Sequence, residues 1–343
     1  MKEKIVIGMS GGVDSSVAAH LLKEQGYEVL GVTMQTGSVP ENVLQDAADV
    51  AAMLGIPHYV IDFSREFRHY VMDYFAQSYS QGRTPNPCIA CNRYVKWESL
   101  LNYAEKLGAE LVATGHYTRI MQLENGRYTL QRTTGGKDQT YVLYGLSQDQ
   151  LRRTRMPLYN YTKDQIREIA RGIGLNVADK PDSQEICFIP DQDYAGWLAR
   201  HTGATMPEGN FVNLEGKVLG RHKGLWHYTI GQRKGLGIAL GQPAFVVELR
   251  PQTNEVVLGT NEDVFAREML VEDINYVAVA EGEGPVRLDA QIRYAHRPAP
   301  GTLNGNIFTF DEPQRAITPG QGAVFYRDNY IYAGGVVRNV LGK

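Results

Sequence analysis

The stretch Ser10-Gly11-Gly12-Val13-Asp14-Ser15-Ser16 constrains the fold more than any other part of this 343-residue chain. It follows the apolar run Ile5-Val6-Ile7 and leads into Val17-Ala18-Ala19-His20-Leu21-Leu22. That order reads as a buried strand, a glycine turn and the start of a helix. Paired glycines open backbone conformations closed to other residues and let the chain approach a phosphate. Hydroxyls and N–H groups at the helix N-terminus then face an anion. The bland alternative is a tight turn in which Ser and Asp only cap the helix. Strand, glycines, Asp and paired serines all fall in register, which favours binding of a nucleotide pyrophosphate.

The rest of the first half repeats the pattern. Lys4–Met9, Glu28–Met34 and His58–Phe63 read as buried strands rich in Val and Ile, and Glu110–Thr114 as a further strand. Ser15–Gln25, Asn42–Leu54, Arg65–Ser80 and Asn92–Leu107 read as helices, with apolar residues near the 3.6 period. Such a βαβ series predicts an α/β fold, a parallel sheet with helices on both faces. Ligands bind at the carboxyl ends of such strands, where Ser10, Met34 and Gly115 all fall. The loop lacks the Lys that follows the last glycine of a Walker loop; Asp14 comes after Gly12-Val13 instead. It also lacks G-x-G-x-x-G. It resembles the pyrophosphatase loop S-G-G-x-D-S, in which ATP is split between its α- and β-phosphates and the substrate becomes an adenylate.

Helical patterning continues through Tyr161–Ile173 and Asp193–Arg200, and after Met206 the texture changes. Short alternating runs dominate there: Phe211–Leu214, Ala244–Leu249, Glu255–Leu258, Val286–Tyr294, Ile307–Phe310, Ala323–Arg327 and Tyr330–Val337. Turn residues separate them, as in antiparallel sheets and small barrels. The expected units are a catalytic domain over 1–205, a small β-rich domain over 206–280 and a C-terminal antiparallel β-barrel over 281–343. No apolar run reaches the roughly 18 residues that span a bilayer, and Met1 runs directly into the first strand. A cytoplasmic, membrane-free monomer is the expectation. The net charge of −3 argues weakly against a polyanion partner. Distribution counts for more: Gly216–Val247 holds Lys217, Arg221, Lys223, Arg233 and Lys234 with no acid, and Arg152-Arg153-Thr154-Arg155 forms a second basic cluster. Either is a solvated face or a phosphate contact.

Three cysteines, an odd number, argue against a disulfide framework and for a reducing compartment. Cys88 and Cys91 follow Thr84-Pro85-Asn86-Pro87, whose two prolines predict an extended approach. A helix is then expected from Asn92, so its dipole, with Arg93 and Lys96, would favour thiolate. Cys187 lies in the loop-like Asp182-Ser183-Gln184-Glu185-Ile186-Cys187-Phe188. The C-x-x-C pair alone leaves redox chemistry, zinc, an iron–sulfur cluster or buried structural thiols open.

Taken together, seven segments resemble the bacterial tRNA-specific 2-thiouridylases over essentially the whole chain. They are Gly8–Ser16, Thr84-Pro85-Asn86-Pro87, Cys91-Asn92, Ala113-Thr114-Gly115-His116-Tyr117, Lys137-Asp138-Gln139-Thr140-Tyr141, Ser183–Phe188 and Tyr228-Thr229-Ile230-Gly231-Gln232-Arg233. The resemblance implies that a wobble uridine of a Lys, Glu or Gln tRNA is flipped into the site. ATP with Mg²⁺ adenylates its C2 oxygen, and a persulfide sulfur supplied by a cysteine desulfurase or relay protein replaces it. It implies ATP binding by Gly8, Met9, Ser10, Gly11, Gly12, Val13, Asp14 and Ser15, with Met34 and Gly115 at the adenosine end. Cys187 would carry the persulfide and Cys91 would be its partner thiol, with Asp14 in the catalytic set. Low thiol pKa values suit both roles. Asn86, Pro87 and Cys88 would meet the target base. His116, Lys137, Asp138, Gln139, Arg293, Tyr294 and Gln321 would contact tRNA.

Two departures stand out. Many relatives carry Asp where this chain has Cys88, which makes Cys88, Cys91 and Cys187 a three-thiolate set for an iron–sulfur cluster with one open iron. The loop Gln35–Glu41 is also shorter and less acidic. Among competing readings, an amidotransferase-coupled ligase has no need of paired cysteines. A 2-thiocytidine synthetase usually keeps two C-x-x-C pairs, and loss of Asp14 or Cys187 would favour a non-catalytic tRNA-binding or sulfur-carrier protein, but both are intact.

Overall fold

The computed structural model describes residues 2–133, 135–180 and 185–342. Its first layer is a parallel sheet of β1 (Lys4–Gly8), β2 (Glu28–Gln35), β3 (His58–Asp62) and β4 (Leu111–Ala113), in the order β3-β2-β1-β4, with the short strand Thr154–Arg155 beyond β4. The central strand β1 shows why the sequence folds this way. Ile5, Val6 and Ile7 are fully buried because both faces are covered. Ile5 and Ile7 face helices Val13–Glu24, Glu41–Leu54 and Lys163–Gly172. Val6 faces the helix Glu98–Lys106 and, beyond it, Val324, Tyr326 and Ile331 of the C-terminal unit.

Two local expectations are corrected. β3 is not a buried strand: it lies at the sheet edge, so Val60 is 52% and Tyr59 36% exposed. The helix expected from Asn92 begins at Pro87. Proline is well placed in a first helical turn, where its missing N–H has no partner to lose. The helix then runs through a π-helical turn, Cys91–Trp97, into Glu98–Lys106. The run after Ser64 is likewise helical but contains the π-turn Arg68–Asp73.

A four-stranded sheet follows the helix Tyr194–Thr202, with Phe245–Arg250, Glu255–Gly259, Gly209–Val212 and Val218–His222 in spatial order. The last unit is a closed antiparallel barrel of six strands: Phe265–Tyr276, Ile307–Arg315, Ala299–Asn304, Val286–Gln291, Gly322–Arg327 and Tyr330–Leu341, the last pairing with the first. The barrel's first strand therefore starts before the break expected near 280; the turn signals Gly282, Gly284 and Pro285 belong to a loop inside the barrel. A hairpin from the first unit, Arg119–Gln122 with Tyr128–Gln131, extends the barrel sheet where Gln131 pairs with Tyr330. Among the described residues no helix is long and apolar enough to cross a membrane.

Candidate active site

The loop after β1 is held shut by its own hydroxyls. Ser10 donates its N–H to Ser15 Oγ at 3.1 Å, and the two hydroxyls lie 3.2 Å apart. Ser16 Oγ donates to the Gly12 carbonyl at 2.9 Å. Gly11 adopts φ +65°, and a Cβ there would meet the Val43 carbonyl at 2.5 Å, so only glycine fits. Gly115, just past β4, allows another close approach: a Cβ would lie 2.7 Å from the Ser15 nitrogen. The loop and the end of β4 are thus in backbone contact, at the carboxyl edge of the sheet.

Asp14 is the electrostatic centre. Its Oδ1 accepts from the Tyr117 hydroxyl at 2.6 Å and from Lys163 Nζ at 2.7 Å, and its Oδ2 accepts from Lys137 Nζ at 3.1 Å. Lys180 Nζ donates to the Gly11 carbonyl at 3.2 Å and also pairs with Asp46. Next to Lys137, Asp138 pairs with Arg132 at 3.0 Å, and the Gln139 side-chain oxygen accepts from the Tyr117 N–H at 2.9 Å. The segment Lys137–Gln139 is therefore tied to the nucleotide loop. His116 bonds Thr114 Oγ1 through Nδ1 at 2.7 Å. Burial first, then Lys96 and Lys137, hold His116 well below its ordinary pKa, so it is neutral.

The thiols sit beside this edge. Asn86 caps the helix by accepting from the Cys88 N–H at 3.0 Å, with buried Pro87 at the first helical position. Cys88 and Cys187 reach solvent, Cys91 is half-buried, and all three are free thiols. Met34, Cys91 and Ile186 pack against one apolar cluster that includes Phe67, Phe75, Phe188 and Trp197. This joins the end of β2, the C-x-x-C turn and the neighbour of Cys187. The expectation of low thiol pKa values is overturned. Surrounding protein pushes Cys91 up to about 12 and raises Cys88 and Cys187 as well, and Lys96 offsets only part of this. Burial outweighs the helix terminus because the helix starts at Pro87, which leaves Cys91 beyond its first turn. Ser183 and Gln184, before Cys187, lie outside the described residues. Among the described residues no three His, Cys, Asp or Glu side chains gather so as to hold a metal ion.

The barrel presses on the same turn. Gln321 Nε2 donates to the Thr84 carbonyl at 2.6 Å, and the Thr84 N–H donates to the Pro319 carbonyl at 2.9 Å. Arg293 reaches the Arg315 carbonyl at 2.9 Å, and Tyr294, half exposed, lies edge-on to Tyr141 at 6.2 Å.

Three family models cover nearly the whole chain. One described as tRNA methyl transferase HUP domain matches 3–191, one described as tRNA methyl transferase PRC-barrel domain matches 196–260, and one described as aminomethyltransferase beta-barrel domain matches 266–337. The tRNA-specific 2-thiouridylase MnmA of Lachnoclostridium phytofermentans is 54% identical over 98% of this chain and 99% of that protein. Proteins of the same name from Clostridium kluyveri and Carboxydothermus hydrogenoformans are 50% and 49% identical, over 98% and 99% of this chain and 99% of each relative. The chain belongs to the tRNA-specific 2-thiouridylase family. Among solved structures, NMN synthetase from Francisella tularensis is similar with a TM-score of 0.37 and 21% identity, over 60% of this chain and 79% of that one.

Two residues of this thiouridylase site were not legible in the motifs. Lys163 and Lys180 reach the loop from far along the chain. Lys163 opens a helix behind the Thr162 capping box, and Lys180 precedes Pro181-Asp182-Ser183. A lone lysine in either setting carries no phosphate signature of its own.

Proposed function

We propose that the protein is a tRNA 2-thiouridine synthase that uses ATP and a cysteine persulfide. One observation carries this reading: the Ser10–Ser16 loop and the free thiols of the Cys88–Cys91 turn and Cys187 lie at the same sheet edge, bridged by the cluster that holds Met34, Cys91 and Ile186. A phosphate cradle beside free thiols suits adenylation followed by sulfur transfer. Mg²⁺ enters with ATP as part of the substrate.

In this reading the C2 oxygen of a flipped wobble uridine attacks the α-phosphate, and pyrophosphate leaves. Cys187 carries the persulfide. Cys91 has to lose its proton against the burial that raises its pKa, with Lys96 favouring the thiolate; it then attacks the Cys187 Sγ, the S–S bond of the persulfide breaks, and HS⁻ is released beside C2. HS⁻ adds to C2 and AMP departs, which leaves a Cys91–Cys187 disulfide for an external thiol to reduce. Neutral His116 adds no positive charge beside the phosphates, while Lys137 and Lys163 do. Asn86, Pro87 and Cys88 would border the base. Gln321 would act on the base through Thr84, and Lys137, Asp138, Gln139, His116, Arg293 and Tyr294 would line the tRNA side, with the acid-free stretch Gly216–Val247 along the backbone. The partners are a tRNA of the Lys, Glu or Gln type and a cysteine desulfurase or relay protein.

The test is an anaerobic single turnover. Metal-free protein loaded with persulfide is mixed with Mg–ATP and an unmodified glutamate tRNA transcript, and the nucleosides are analysed by mass spectrometry. The expected result is 2-thiouridine, with none from Cys187→Ser. Product only after iron–sulfur reconstitution would overturn the persulfide route, and no product in either state would overturn the substrate assignment.

A further inference from the structure

A Walker loop carries its phosphate-binding lysine immediately after its last glycine. The loop here has an acid, Asp14, in that region, which would repel a triphosphate unless cations came from elsewhere. They come from three remote segments. Lys137 and Lys163 close on Asp14 at 3.1 and 2.7 Å, and Lys180 closes on the Gly11 carbonyl at 3.2 Å while paired with Asp46. Their side chains are 26%, 17% and 33% exposed, so the ammonium groups stand at the mouth of the loop. Ion pairs as largely buried as these pay a desolvation cost that pairing does little more than offset. Three lysines drawn onto one glycine loop are therefore poorly explained as structural glue.

Resting on the nucleotide reading above, we propose that Lys163 and Lys180, together with Lys137, hold the pyrophosphate moiety of ATP. Asp14 and Asp46 keep these lysines in place until the nucleotide arrives. Asp14 acts as an internal substitute for the phosphate: it orients the two lysines and Tyr117 around a negative charge, so the cradle is formed before binding. The loop supplies N–H groups and the remote segments supply the charge, a division that lets the glycines pack against Val43 and the Ser15 backbone against Gly115 without a lysine stem between them.

The experiment measures binding by calorimetry with the full-length protein and inorganic pyrophosphate, without and with Mg²⁺, and with Mg–ATP. Lys163→Met and Lys180→Met should each weaken pyrophosphate binding about tenfold or more, with affinity for the tRNA transcript unchanged. Lys163→Arg keeps the charge and should bind within about threefold of the parent, which separates lost charge from lost fold. Asp14→Asn removes the competing anion and should tighten Mg²⁺-free pyrophosphate binding about threefold or more. Parental affinity in both methionine variants would overturn the lysine assignment. Unchanged or weaker Mg²⁺-free binding by Asp14→Asn would overturn the substitute-anion role. A parent protein that binds neither pyrophosphate nor ATP would instead overturn the nucleotide reading itself.

Discussion

Cys91 and Lys96 show what one side chain decides in this site. Burial works against the Cys91 thiolate, and the Lys96 ammonium opposes the rise at Cys88, Cys91 and Cys187, at Cys187 together with backbone N–H groups. The π winding of Cys91–Trp97 explains the placement. It brings residues five apart into successive turns, whereas in an α-helix they diverge. Lys96→Met should therefore push all three thiols further up. At pH 8, haloacetamide alkylation of the variant should be about threefold slower or more than that of the parent, and parental rates should climb as pH rises above 8. Equal rates would remove Lys96 from sulfur chemistry. The cysteines and Lys96 were visible in the sequence. Their ionisation was not, because it depends on burial by distant residues, as where Cys91 packs against the cluster of Phe67, Phe75 and Phe188.

Among the elements, the turn Thr84–Cys88 has little regular structure of its own and is held by neighbours. Gln321 and the Pro319 carbonyl grip Thr84 from the barrel, and Asn86 caps the helix beneath it. Gln321→Ala leaves the Thr84 carbonyl short of a donor, at a cost of about 1 kcal/mol. The expected outcome is faster hydrogen exchange across 84–92 with little change elsewhere; uniform exchange would show that the turn holds itself. Strands β1, β2 and β4 were readable because short apolar runs mark strands covered on both faces. The grip on Thr84 was not readable, since it joins residues 237 apart. Nor was the hairpin Arg119–Gln131, whose strands are four residues each and gain their place by adding to the barrel. Gly282, Gly284 and Pro285 mimic a linker because turn chemistry is the same inside a barrel as between domains.

At the level of the whole molecule, the three units share apolar clusters. Val324 and Tyr326 of the barrel pack with Trp97 and Val112, and Trp226 of the middle unit packs with Phe67 and Phe75. Loss of one unit's packing is therefore felt by the others, and each unit holds a histidine that burial keeps below its ordinary pKa. These are His58 and His116 in the first, His222 in the second and His296 in the barrel. His222 shows why the neutral form is required. It is 1% exposed; its Nδ1 accepts from the Gly224 N–H at 3.0 Å, and its Nε2 faces the Asn254 carbonyl at 3.1 Å. A proton on Nδ1 would set N–H against N–H. For such a group the unfolded chain takes up the proton first as pH falls below about 6.5, so folding stability is intact above that value and declines beneath it. One unit below, a histidine that stays neutral in the fold costs about 1.4 kcal/mol. Denaturant midpoints should thus be level from pH 8 to 7 and fall between pH 6.5 and 5.5, with slopes unchanged. His222→Gln keeps an acceptor and a donor without a titrating ring, and should flatten part of that fall. A midpoint equally high at pH 5.5 and 7.5 would mean that the buried histidines do not set the acid limit of the fold.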